Sequence, residues 1–131
     1  MLINYSNHPS ENWSEKQRKE AELLYGAIVD FSFPGVPVSY TTEDITVMAK
    51  NQADQLMAVC KRYTGEKHAV MCQGEFTLCF AVCSLLQSSG IEVVVAVTER
   101  KTVEKIEDSK TIKISQFEFA GFRAYPNLKR I

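Results

Sequence analysis

His68-Ala69-Val70-Met71-Cys72-Gln73-Gly74-Glu75-Phe76-Thr77-Leu78-Cys79-Phe80-Ala81-Val82-Cys83 is the stretch on which the fold turns. Apolar and small residues run into Gln73-Gly74-Glu75, and a strongly apolar segment continues to Leu86. This predicts a buried strand over 68–72, a tight turn, and a buried helix from Glu75 to about Ser88, the unit on which open α/β proteins place a ligand. Ser88-Ser89-Gly90 closes the helix with a glycine stop signal. Ile91 to Val97 is the clearest strand in the chain: β-branched and almost continuously apolar, as parallel strands covered on both faces tend to be. Thr98-Glu99-Arg100 lies at its end.

Working toward the N-terminus, Thr64-Gly65-Glu66-Lys67 ends a long helix that starts near Thr41 or Thr42. Ile45, Met48, Ala49, Gln52, Leu56, Val59, Cys60 and Tyr63 follow the three-four spacing of one apolar face. Glu43 and Asp44 sit in its positive first turn. Before it, Phe33-Pro34-Gly35-Val36-Pro37 must be a surface loop, because two prolines lack ladder donors. Ala27 to Phe31 reads as a strand. Ser14 and Gln17 form a capping box for a helix that runs to Tyr25 and stops at Gly26. Its moderately apolar face (Trp13, Gln17, Ala21, Leu24) suits a half-exposed helix. Met1 to Asn4 is a short first strand, followed by the turn formers Tyr5 to Asn12.

Strand-helix occurs three times, and then comes a fourth strand. Short right-handed crossovers make this a three-layer α/β sandwich with a mostly parallel sheet of order 2-1-3-4. The core spans 1–97, and 98–125 forms a C-terminal hairpin extension of the same single domain. Thr102 to Glu107 and Thr111 to Ser115 alternate about a turn at Asp108-Ser109-Lys110. The apolar face switches between Ile114 and Phe117, which predicts a bulge near Ser115-Gln116. Phe117, Phe119, Phe122 and Tyr125 cluster before a polar, basic tail.

Fifteen basic residues balance sixteen acidic ones in 131. No net charge steers the chain to duplex nucleic acid or to a membrane surface, and neither partner is expected. The N-terminus lacks the charged and apolar regions of a signal peptide, and no apolar run reaches a membrane span, so the cytoplasm is the expected compartment. The four cysteines, Cys60, Cys72, Cys79 and Cys83, should then be reduced. Their spacing matches neither a C-x-x-C pair nor a zinc ribbon; Cys79 and Cys83 share a helix face and could form a metal site with Cys72, but the plain reading is small apolar residues filling a core. No metal or cofactor is expected. G-x-G-x-x-G, P-loop and G-x-S-x-G motifs are absent, which argues against a dinucleotide or NTP site of the usual kinds.

In open α/β sheets a ligand sits outside the carboxyl ends of the strands, where neighbouring crossovers leave to opposite faces. In the order 2-1-3-4 that point lies between strands 1 and 3. Asn4, Ser6, Asn7 and His8 meet Gln73, Gly74 and Glu75 there, with Thr98, Glu99 and Arg100 arriving from strand 4. Gly74 permits close backbone approach. The N–H groups of Gly74, Glu75 and Phe76 can hold an anion at the helix start, but a carboxylate at Glu75 favours its own helix and repels an anionic ligand. His8 can act as a general base near neutral pH; an Asx turn with a surface histidine explains the same residues without function.

Leu2-Ile3-Asn4-Tyr5-Ser6-Asn7-His8-Pro9-Ser10 with Trp13-Ser14, Val29-Asp30-Phe31-Ser32-Phe33-Pro34, Met71-x-x-Gly74-Glu75-Phe76-Thr77-Leu78, Thr98-Glu99-Arg100 and Phe117-x-Phe119-x-x-Phe122-Arg123-x-Tyr125 resemble small stand-alone bacterial CRISPR-associated proteins. Those are similar in layout to CRISPR-associated Rossmann-fold (CARF) domains. The resemblance covers most of the chain. It implies a Rossmann-like homodimer of an antiviral defence system that binds cyclic oligoadenylate over a two-fold axis, with phosphates near the helix start after Gly74. It also implies metal-independent ring cleavage, in which a ribose 2′-hydroxyl attacks the adjacent phosphate. On that reading His8 and Glu75 are the catalytic candidates, and Asn4, Ser6, Asn7, Gln73, Gly74, Thr98, Glu99 and Arg100 bind ligand. Two other readings stand beside it: a non-catalytic interaction or regulatory module, and an unrelated small-molecule enzyme on the same scaffold. The helix from Phe76 to Leu86 is apolar nearly all round, so either a second copy or the C-terminal hairpin should cover it.

Overall fold

The computed structural model describes residues 1–63, 65 and 67–130. Thr64 and Glu66, expected in the turn after the long helix, lie outside the described residues. One five-stranded sheet has the order β2-β1-β3-β4-β5, with β1 Leu2–Ser6, β2 Ile28–Ser32, β3 Ala69–Cys72, β4 Glu92–Glu107 and β5 Lys110–Ala124. The first four are parallel and β5 runs antiparallel to β4. Helices α1 (Glu15–Tyr25), α2 (Thr42–Arg62) and α3 (Phe76–Ser88) connect the parallel strands. The expected fold class and strand order are both present.

Side chains alternate across each strand, so an all-apolar strand must be covered twice. Leu2, Ala69, Met71 and Val94 face α1, which contributes Ala21. Ile3, Tyr5, Val70, Cys72 and Val93 face the other way, onto Ala49, Ala53 and Leu56 of α2 and Leu78, Val82 and Leu86 of α3. Each fully buried Leu, Ile or Val stabilises the fold by ~1.5–3 kcal/mol. The second face therefore carries most of the core, and α1 buries only Ala21 fully. Because α1 leaves β1 on one face while α2 and α3 occupy the other, the crossovers diverge between β1 and β3.

Two strand ends and one helix cap differ most from expectation. β1 extends to Ser6, because Asn4 and Ser6 find partners that let them be buried. Ser14 accepts from the Gln17 N–H, but the Gln17 side chain reaches Met71 and does not close the capping box. β4 does not end at Val97: it runs unbroken to Glu107 and forms with β5 a long two-stranded arm. Asp108 and Ser109 turn that arm with φ of 50° and 63°, the left-handed pair of a two-residue type I′ hairpin.

The bulge is also elsewhere. Pairing is regular from Thr98–Phe119 to Glu107–Lys110, and the register shifts between Val97 and Thr98. Val97 opposes Gly121 and Thr98 opposes Phe119, so Ala120 is the additional residue. Without it Phe119 and Phe122, three apart, would point to opposite faces. With it they share a face, 5.0 Å apart, and Phe122 packs on Trp13 and Tyr25 of the α1 side. Ile114 and Phe117 simply lie on opposite faces of an arm exposed on both sides. Among the described residues, no helix is long and apolar enough to cross a membrane.

Candidate functional site

Asn4 and Ser6 are 1% and 5% exposed, the buried polar residues of an otherwise apolar core. Burying an amide or hydroxyl without partners costs ~1–3 kcal/mol on the protein scale, so their bonds have to be accounted for. Asn4 Nδ2 donates to the His8 carbonyl at 2.8 Å and to Asp30 Oδ1 at 2.9 Å. Ser6 Oγ donates to Asn4 Oδ1 at 2.6 Å and accepts from the His8 N–H at 3.2 Å. Trp13 Nε1 donates to the same His8 carbonyl at 3.1 Å. Asp30 also accepts from the Ser10 N–H and hydroxyl, and Arg18 caps the Ser10 carbonyl. The turn Asn7-His8-Pro9 is clamped from within, while Asn7 and His8 are themselves exposed.

The turn after β3 lies beside it. Gln73 N–H donates to the Tyr5 carbonyl at 3.1 Å, and Gln73 Oε1 accepts from Ala96 N–H at 3.0 Å. Gln73 is thus a tie between β1, β3 and β4. Gly74 meets the Phe33 ring: a Cβ there would stand 2.6 Å from three of its carbons. Phe33, buried beside Tyr5 at 4.8 Å, is itself placed by its N–H donating to the Ser6 carbonyl. Gly74 is required by packing of protein on protein.

Glu75 is the N-cap of α3. Its carboxylate accepts from Leu78 N–H at 2.8 Å, Thr77 N–H at 3.0 Å and the Thr77 hydroxyl. The Thr77 hydroxyl first, then the two N–H groups, hold this carboxyl below its ordinary value of 4.5. The position where an anion was expected is thus filled by the chain's own carboxylate. Just inside, Cys72 Sγ and Cys79 Sγ are 3.4 Å apart. The contact with Cys79 first, and burial second, push the Cys72 thiol up, while the same contact lowers Cys79. Tyr125 donates to the Cys72 carbonyl at 2.9 Å, and burial pushes its phenol up to about 12.

Thr98, Glu99 and Arg100 do not join this cluster. They pair with Phe119, Glu118 and Phe117 in the arm, and the Arg100 guanidinium donates to Ser115 Oγ. The strand was expected to end at Val97, and its continuation carries all three away from the switch point. Sequence reasoning missed Asp30, Trp13 and Phe33. A carboxylate inside the apolar run Ile28-Val29-Asp30-Phe31 was the available signal for the first of these. The cluster holds no metal-ligating set: no group of three or more His, Cys, Asp or Glu able to hold an ion occurs among the described residues.

Comparison with protein families matches residues 1–123 to the model of the uncharacterised protein MJ1673 family. The chain belongs to that family. The match runs through every strand and helix of the sandwich and almost to the end of β5. No curated protein and no solved structure matches the chain.

A second concavity lies away from the switch point. A groove of about 760 Å³ runs between α3 and the C-terminal tail, lined by Phe76, Cys79, Phe80, Tyr125, Leu128 and Lys129 among others. Phe76 and Phe80 are 87% and 78% exposed. The hairpin was one of two expected covers for α3. It projects instead, and the segment from Tyr125 onward approaches the helix, where Gln87 donates to the Tyr125 and Pro126 carbonyls.

Proposed function

We propose that this chain is a nucleotide-binding protein of CARF-like type that takes cyclic oligoadenylate at the β1–β3 switch point and works as a homodimer. The observation that carries this reading is the clamped His8 turn. Two buried polar side chains, a tryptophan N–H and a neighbouring carboxylate hold one exposed histidine turn at the carboxyl end of a central strand. Supporting shells of this kind are what a positioned binding or catalytic group needs. The sequence resemblance supplies the ligand class.

The roles within the proposed site are narrower than the sequence suggested. His8 and Asn7 contact ligand. Asn4 and Ser6 are positioning residues that act through the turn. Glu75 shapes the start of α3 and repels phosphate from it. The N–H groups of Glu75 and Phe76 remain as donors without a protein acceptor among the described residues. Where the ring is cleaved, a ribose 2′-oxygen bonds to the adjacent phosphorus as the 5′-oxygen leaves. On this reading the His8 imidazole takes the proton from the 2′-hydroxyl, and water gives one to the departing 5′-oxygen.

The test is calorimetric titration with cyclic tetra- and hexa-adenylate, followed by chromatography for linear products. Micromolar binding that weakens about tenfold in His8→Ala, the loss of one good polar contact, is expected. Absence of heat with either ring overturns the reading. The groove along α3 favours a second reading, an interaction module without catalysis. Its signature is loss of partner binding in Phe80→Glu while His8→Ala has no effect.

A further inference from the structure

Beyond the bulge, β4 and β5 leave the body as a ribbon from Thr98 to Phe119, about 33 Å of paired strand at ~3.3 Å per residue. Apart from Phe119 at its base, its residues are exposed, including Ile106 and Phe117. A two-stranded hairpin with no third strand and no packed face is marginal in water. This one nevertheless carries the β-branched residues Thr102, Val103, Ile106, Thr111, Ile112 and Ile114, composition suited to a pleated and covered surface.

The charges indicate what covers it. Within the arm Lys101 pairs with Glu118 at 3.0 Å and Lys105 with Glu107 at 3.2 Å. Among the described residues, Glu99 and Glu104 have no ion pair, and Arg100 holds a hydroxyl but no carboxylate. All three are on β4, whose outer edge is open past its pairing with β3, which ends at Val94. An antiparallel two-fold partner can pair β4 with itself. Centred on Thr102, the register places Arg100 opposite Glu104 and Glu99 opposite Lys105, each twice. Centred one residue later, on Val103, it sets Glu99 against Glu107 and Lys101 against Lys105, which like-charge repulsion disfavours. On β5 the comparable acid, Glu118, is already paired with Lys101.

We infer that β4 of the arm pairs edge to edge with β4 of a second copy of this chain, antiparallel and centred on Thr102. Four strands then replace two, which meets the three or more that independent stability needs. Open edges are where strand addition occurs. The inference rests on the homodimer reading above and names its interface.

Sedimentation and chemical cross-linking test it. Arg100→Glu and Glu104→Arg should each weaken the dimer about tenfold or more, and the double variant should recover most of the loss, because the pairs re-form with reversed sign. Thr102→Cys should close a disulfide between copies on mild oxidation, since its partner is itself. Lys105→Cys should not, since it faces residue 99. A dimer indifferent to the reversals, or one cross-linked through 105 and not 102, overturns the β4 interface and leaves the homodimer reading standing. A wild-type chain that stays monomeric to about 100 μM, where specific dimers are populated, overturns both.

Discussion

Gly74 and Asn4 show how individual residues set the site. The glycine accommodates the Phe33 ring, and any Cβ would overlap it. Gly74→Ala should destabilise the protein by about 1–3 kcal/mol, the usual cost of overpacking. Phe33→Leu in the same chain should recover part of that by making room. Urea unfolding of the two single variants and the pair checks this; strict additivity would show that ring and glycine are not coupled. Asn4 has the opposite logic. It is a polar group in a core strand whose amide links the His8 carbonyl to Asp30. From sequence, Asn4 reads equally as a ligand group, because the two partners that consume its hydrogens come from other segments.

At the scale of the element, α3 is governed by its cap. Glu75 bonds two backbone N–H groups that the first turn leaves without partners, and a carboxylate there also complements the helix dipole. Its pKa is lower folded than its ordinary 4.5. The charged form is thus bound more tightly in the native state, and the stabilisation is present above pH 4.5 and disappears as pH falls through the lower folded value. Glu75→Gln should therefore flatten the acid limb of a thermal-stability profile against pH while leaving its shape between pH 6 and 8 unchanged. An identical acid limb in the variant would refute the role. The arm is the other instructive element. Its two strands and Asp108-Ser109 turn were legible in the sequence from alternation and turn chemistry. Its length was not, because Thr98-Glu99-Arg100 reads as an end when it follows an apolar run. A strand that leaves a buried sheet for solvent changes composition without changing conformation.

At the scale of the molecule, body and arm separate cleanly. Every buried core residue lies outside Thr98–Glu118. Replacing residues 99–118 by Asn-Gly, a strong type I′ turn, should leave the sandwich folded, with a melting temperature within a few degrees of the parent, as expected when no packed surface is lost. The dimer should disappear. Circular dichroism melts with light scattering read both at once, and an unfolded deletion would show that the arm is part of the body's stability. Apolar runs of strand length, helical spacing, and turn and cap residues are local signals, and by themselves they determined the α/β class, the strand order, the three helices and the switch point between β1 and β3. Only the tertiary structure decided which polar groups at that point are spent on one another. Glu75 turns back on its own helix, Asn4 and Ser6 serve the His8 turn, and Arg100 travels out along the arm. Hydrogen-bond partnership depends on distances between segments far apart in the chain, and no local pattern encodes those.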